Sequence, residues 1–153
     1  MLSKKTKYGL KALTFIARQE IGTKVPINLI TKHEDISHKF LETILLSLRK
    51  AGFLGSKKGK GGGYYLLKSP EDIKMTDVIR HLEGPIALIS CVSLNFYEKC
   101  DDCADEETCG IHKMMIQVRD KTLEIFRGTS LQDLVDSSNG KLPENNHENS
   151  IEE

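Results

Sequence analysis

The chain has 153 residues, 39% hydrophobic and 29% charged, and its 22 Lys and Arg cancel 22 Asp and Glu to a formal net charge of zero. A neutral total argues against a nucleic-acid partner, yet residues 1–68 hold 14 Lys/Arg against 4 Asp/Glu and residues 69–153 hold 8 against 18. This is the size and composition of one globular domain, or of a small domain with an appended module, and the split marks the front half as a polyanion-binding surface.

No run approaches the roughly 20 apolar residues of a membrane span. The basic start MLSKKTKYGLKAL lacks the apolar core and cleavage site of a secretory signal. A cytoplasmic location without membrane contact is therefore expected.

In chain order, Leu10, Leu13, Ile16 and Ala17 recur at helical spacing within Thr6 to Glu20, and Gly22 stops that helix. A short helix is predicted from Ile27 to Lys32, then a turn at Asp35-Ile36-Ser37. Ser37 is the predicted N-cap of a helix from His38 to Ala51 that buries Phe40, Leu41, Ile44, Leu45 and Leu48, with Gly52 just past its end. Two short strands follow, around a Gly/Lys tip between Ser56 and Gly63. Helix, helix, turn, helix and a basic hairpin make the order of a winged helix-turn-helix. Thr76 is the predicted cap of a helix through Glu83, which Gly84-Pro85 breaks. Residues 86 to 110 read as irregular. A long helix is predicted from Ile111 to Arg127, and Thr129 as the cap of a last short one through Val135. The polar segment from Asp136 reads as disordered. The expected fold is thus mainly α with a small β-wing. Its parts are a DNA-binding domain over 1–69, a connecting helix and turn over 70–90, a cysteine-rich loop over 91–112, a long and a short helix over 111–136, and a tail over 137–153.

A recognition helix places polar side chains at its N-terminal end, where they enter the major groove. Ser37, His38, Lys39, Glu42 and Thr43 are the outward positions there, and Phe40 packs or stacks beside them. Lys57, Lys58 and Lys60 sit on a glycine-rich tip that lets backbone approach phosphates or a minor groove. Lys4, Lys5, Lys7 and Lys11 add phosphate contacts from the first helix. Taken singly, a basic helix face is a solvated face and a glycine hairpin is a turn; in this order they indicate double-stranded DNA. The glycine run is not a phosphate loop of the GxxxxGK[ST] type, because Gly61 follows Lys60.

All four cysteines fall in Cys91-x8-Cys100-x2-Cys103-x5-Cys109-x2-His112. Such a cluster reads as metal chemistry before disulfides. Thiolates select zinc, copper(I) or iron–sulfur clusters. Cys100, Cys103, Cys109 and His112 would make a structural zinc set, but with a short central spacer and Cys91 left over. The surrounding Glu98, Asp101, Asp102, Asp105, Glu106 and Glu107 raise metal-free thiol pKa values.

The segments YGLKALTFIA, FLETILLSLRKAGFLGSKKGKGGGYYL and HLEGPIAL, with the C-x5-C-x2-H ending, resemble the bacterial winged-helix iron–sulfur transcriptional regulators that include IscR, NsrR and RirA. The resemblance covers about residues 1–136. It implies a homodimeric DNA-binding regulator, a repressor by expectation, whose operator affinity follows an iron–sulfur cluster that senses iron, redox or nitric oxide status. Cys103, Cys109 and His112 match the family's ending, and Cys91 matches its first ligand by position. The wider spacing to Cys103 leaves His112 or Cys100 to complete the set. A 2Fe–2S cluster is favoured, with 4Fe–4S and zinc as alternatives. Ser37, Lys39, Phe40 and Glu42 match the family's recognition helix, and Lys58, Gly59, Lys60 and Gly61 its wing. The apolar excess on the long helix, Met114, Met115, Val118, Leu123, Ile125 and Phe126, becomes a dimer interface, an ordinary core helix being the alternative. A cluster-free regulator with a structural zinc or a thiol sensor is the competing expectation. No nucleophile–base pair or substrate-binding motif is present, so neither catalysis nor a small-molecule substrate is expected.

Overall fold

The computed structural model describes residues 2–138. Helix α1 spans Lys4–Ala17 and buries Ala12, Leu13 and Ile16 on one face. Ser3 caps it, its hydroxyl accepting from the Thr6 N–H, so the helix begins two residues before the apolar pattern does. Residues 18–20 fall outside it. Helix α2, Ile27–Glu34, runs two residues past Lys32 and closes on Asp35 in the left-handed region. Helix α3, His38–Lys50, starts at Ser37, whose backbone is extended as at an N-cap but whose side chain makes no capping bond. Leu41, Ile44, Leu45 and Leu48 are its buried face.

Strand β1, Leu54–Lys57, pairs antiparallel with β2, Gly63–Leu66, in the register Leu54 to Leu66. Sequence pattern did not show that a third segment joins them: Val25 and Tyr64 exchange backbone hydrogen bonds of 2.8 and 2.9 Å. That bridge sews the wing to the start of α2. It also explains Gly63. A Cβ there would sit 2.4 Å from the Val25 carbonyl carbon, at a φ of +152°. Gly63→Ala is expected to cost about 1–3 kcal/mol through strain and displaced backbone, read as a lowered denaturation midpoint.

Helix α4 spans Met75–Glu83, with Lys74 rather than Thr76 at its N-cap position. Thr76 is buried inside the first turn and its hydroxyl has no hydrogen-bond partner among the described residues. Residues 85–109 are irregular apart from a 3-10 turn at Ser90–Val92. Helix α5, Gly110–Gly128, is the longest, and α6 is Leu131–Ser138. Thr129 belongs to the end of α5. The cap of α6 is Ser130, whose hydroxyl accepts from the Asp133 N–H while the Asp133 carboxylate accepts from the Ser130 N–H. α6 continues through Asp136 to Ser138, and the remainder of the tail expected to be disordered lies outside the described residues.

One buried cluster holds these helices together. Leu13, Ile30, Leu41, Ile44, Leu45 and Leu48 meet Ile73, Val78 and Leu131 in it, so the core runs through the boundary expected at residue 69. α6 lies against α1, and the Arg18 guanidinium donates to the Ser138 hydroxyl at 2.6 Å. α4 presses equally close: a Cβ on Gly9 of α1 would lie 2.5 Å from the Leu82 side chain. No helix among the described residues is long and apolar enough to cross a membrane.

The end of α4 is tied to the start of α1. The Glu83 carboxylate accepts from the Ser3 N–H at 3.0 Å, from the Ser3 hydroxyl at 2.7 Å and from the Thr6 hydroxyl. Those bonds, Thr6 first, hold the carboxyl below its ordinary pKa. A carboxylate with a depressed folded pKa contributes stability above its unfolded pKa of about 4.3 and loses it as pH falls through the lower folded value. The melting temperature of Glu83→Gln should therefore lie below that of the parent near neutral pH, and the two should converge in acid.

Candidate functional site

The surface that should meet DNA is assembled from α1, α3 and the wing. Ser37, His38, Lys39, Phe40 and Glu42 all lie exposed at the N-terminal end of α3. Leu41 and Ile44 anchor the opposite face in the core. Phe40 is 37% exposed and meets Tyr8 of α1 edge-on at 5.9 Å, so it packs on one side and stays open on the other. Lys57, Lys58, Gly59, Lys60 and Gly61 form the exposed tip of the wing. Gly59 and Gly61 hold positive φ, which lets the chain reverse without a Cβ between the lysines. Lys4 and Lys7 are exposed and Lys5 half-buried at the start of α1. Lys11 departs from the sequence expectation. Its ammonium is 2.7 Å from the Glu34 carboxylate, so its charge is spent on tying α1 to α2. His33 pairs with the same carboxylate, and His81 packs against Phe53.

All four cysteines of the loop are free thiols. Cys91 is buried in the 3-10 turn. His112 stands on the first turn of α5, its Nδ1 3.5 Å from the Cys91 sulfur. Cys109 is the N-cap of α5, its sulfur accepting from the His112 N–H at 3.4 Å. Burial, followed by the neighbouring Cys109 thiol, pushes the Cys103 thiol pKa up. Cys109 is thus joined to His112 through the backbone N–H, the His112 ring meets Cys91, and Cys103 lies beside Cys109. Cys100 stands apart: it is exposed and donates to Asp102 at 2.9 Å, which pushes its thiol up to about 11.

Three thiols and one imidazole are soft and borderline donors of the kind that hold iron–sulfur clusters. The donor chemistry of Cys91, Cys103, Cys109 and His112 therefore fits such a group. The zinc set drawn from spacing fits less well, because Cys91, not Cys100, faces His112.

Spacing alone did not single out Glu106, one of six acidic residues in the loop. The structure brings its carboxylate within 4.8 Å of the Cys91 sulfur and a His112 nitrogen. The Tyr97 hydroxyl donates to it at 2.9 Å. Arg119 was also missed: its guanidinium donates to the Val92 carbonyl at 2.6 Å and pins α5 to the turn that carries Cys91.

The long helix divides its apolar residues. Leu123 is 3% exposed and serves its own chain, while Phe126 is half-buried against the core. Ile111, Met114, Val118 and Ile125 remain exposed, with Met115 half-buried between them. Val118 also borders a groove of about 490 Å³ lined by Ile79, Glu83, Pro85, Ile86 and Leu88.

A family model described as Rrf2, iron-dependent transcriptional regulator, matches residues 2–137. A Rhodobacter capsulatus protein named as an rrf2-like HTH-type transcriptional regulator is 39% identical over 142 residues, 91% of this chain and 95% of its own length. Among solved structures, CymR, described as the global cysteine regulator of B. subtilis, superposes with a TM-score of 0.73 at 30% identity, covering 90% of this chain and 97% of that one. The structure of T. potens IscR superposes with a TM-score of 0.72 at 26% identity, covering 94% and 93%.

Proposed function

Given that the chain belongs to the Rrf2 family of iron-dependent transcriptional regulators, we propose that it is a homodimeric operator-binding repressor whose DNA affinity is set by an iron–sulfur cluster on Cys91, Cys103, Cys109 and His112. The observation that carries this reading is the gathering of three thiols and an imidazole at the N-terminus of α5, with the Cys109 sulfur on the His112 N–H, the His112 ring against Cys91, and Cys103 beside Cys109. One imidazole among three thiols favours 2Fe–2S. When bound, the cluster supplies a redox-active, oxidant-labile centre to the loop.

The chain's own residues provide the route from the loop to DNA. Arg119 ties α5 to the Cys91 turn, and α4 packs against α5. From α4, His81 Nε2 donates to the Ser47 carbonyl of α3 at 3.0 Å, and Glu83 holds the basic start of α1. A shift of the loop therefore moves the element that touches both DNA-contacting helices. Ser37, His38, Lys39, Phe40 and Glu42 read the major groove, Lys57, Lys58 and Lys60 with Gly59 and Gly61 grip the flanking backbone, and Lys4, Lys5 and Lys7 add phosphate contacts. Ile111, Met114, Met115, Val118 and Ile125 pack against a second copy. Two half-sites lie roughly 34 Å apart on one face of B-DNA, so a small tilt between two copies decides whether both recognition helices fit.

Purification without oxygen tests the reading. A coloured protein with about two iron and two sulfide per chain is expected for a 2Fe–2S centre, and a colourless chain lacking sulfide overturns it. One observation favours a second reading, in which the neighbouring Cys103 and Cys109 thiols are a sensor pair. They would lose two protons and two electrons to a peroxide and close a disulfide. A colourless protein that forms this disulfide, with altered operator binding, would establish it.

A further inference from the structure

The loop contains a second set of donors that the cluster does not use in full. Cys91, Glu106 and His112 each offer one ligand atom, and these three atoms lie within 4.8 Å of one another. No other trio of Cys, His, Asp or Glu converges so closely among the described residues. Cys103 and Cys109 are not part of that trio. We propose that Cys91, Glu106 and His112 form a mononuclear site for a borderline divalent cation, Zn²⁺ or Fe²⁺, which is filled when the chain carries no cluster.

Three features of the site support this. The donors are one thiol, one carboxylate and one imidazole, a mixed set that suits a borderline ion such as Zn²⁺ or Fe²⁺ rather than copper(I) or a cluster. Glu106 is held by the Tyr97 hydroxyl at 2.9 Å, which leaves the second carboxylate oxygen for a metal. Such support of a ligand from behind is usual at metal sites. Metal–ligand distances are about 2.0–2.3 Å, so the trio needs to contract only slightly around one ion, and a fourth position stays open to water.

Because the two ligand sets share Cys91 and His112, cluster and single ion exclude each other. The loop then has two metal states: one that draws in Cys103 and Cys109, and one that leaves them as a free dithiol. The mononuclear site does not depend on the cluster reading. Iron and sulfide counts decide that one, and a sulfide-free metal titration decides this one, so either can fail alone.

The test is a cobalt(II) titration under nitrogen of the full, cluster-free chain carrying C103S and C109S. One cobalt per chain is expected, with the charge-transfer band of a single thiolate. Adding Glu106→Gln or His112→Ala should weaken binding at least ~10-fold, and Tyr97→Phe about 10-fold, whereas Cys100→Ser should change nothing. The proposal is overturned if the folded double variant shows no thiolate–cobalt band, or if Glu106→Gln binds as tightly as its parent. X-ray absorption of the unsubstituted cluster-free chain with one equivalent of zinc decides the matter without relying on those variants: one sulfur with nitrogen and oxygen neighbours agrees, and any other sulfur count refutes it.

Discussion

Cys109→Ala and Cys109→Ser should both yield a protein without iron or sulfide, but only the alanine variant should also melt early. Cys109 has two roles. It is one of the thiols gathered with His112 at the N-terminus of α5, and its sulfur caps α5 by accepting from the His112 N–H. Alanine removes the thiol and the cap together, and a lost N-cap costs about 1 kcal/mol. Serine removes the thiolate but keeps an acceptor for the orphaned N–H. Iron content therefore falls to background in both, while the melting temperature separates them. Operator binding by either variant should no longer respond to oxidant. Full iron and sulfide content in both would remove Cys109 from the ligand set.

The second large effect lies in the wing. Replacing Lys57, Lys58 and Lys60 together by Ala should weaken operator binding on the order of 100-fold or more near 0.1 M salt, and flatten the slope of log affinity against log salt by about three for each protomer bound. Each lysine stands exposed on a tip with no partner carboxylate in an ion pair among the described residues. Lys11→Ala supplies the contrast. Its ammonium already faces Glu34, so its removal should leave the salt slope unchanged and lower only stability, by the ~1 kcal/mol or less of a partly exposed pair. A titration series over salt concentration measures both. Equal slopes for the parent and the triple variant would take the wing off the DNA.

The DNA module was legible because its signals are local. Helical periodicity marked α1 and α3, Gly52 marked the end of α3, and the glycine tip marked the wing. What remained hidden depends on neighbours distant in sequence. The Val25–Tyr64 bridge joins segments that carry no mutual signal. Lys11 looked like a phosphate contact until Glu34 was placed beside it. Thr76 and Thr129 carry the right chemistry for caps, but the cap positions fall at Lys74 and Ser130, and a shift of one or two residues changes which side chain faces the open N–H groups. The apolar face of α5 is wide enough to serve both its own core and a partner, so composition alone could not assign Leu123 to the inside. In the cysteine loop the donors could be enumerated from sequence, but their pairing could not. Only the fold shows Cys91 against His112, Cys100 turned to Asp102, and Glu106 drawn in by Tyr97.

The zero net charge is thus an average over two surfaces with different work, a basic front that should grip phosphate and an acidic loop around the thiols. Their coupling through α4 and α5 is the central claim. It is tested most directly by titrating one operator duplex with an anaerobic preparation before and after its iron is removed by a chelator, at fixed salt. Coupling of the usual size, about 1–3 kcal/mol, predicts that the two midpoints differ roughly 5- to 150-fold; superimposable curves from a preparation shown to have lost its iron would contradict it.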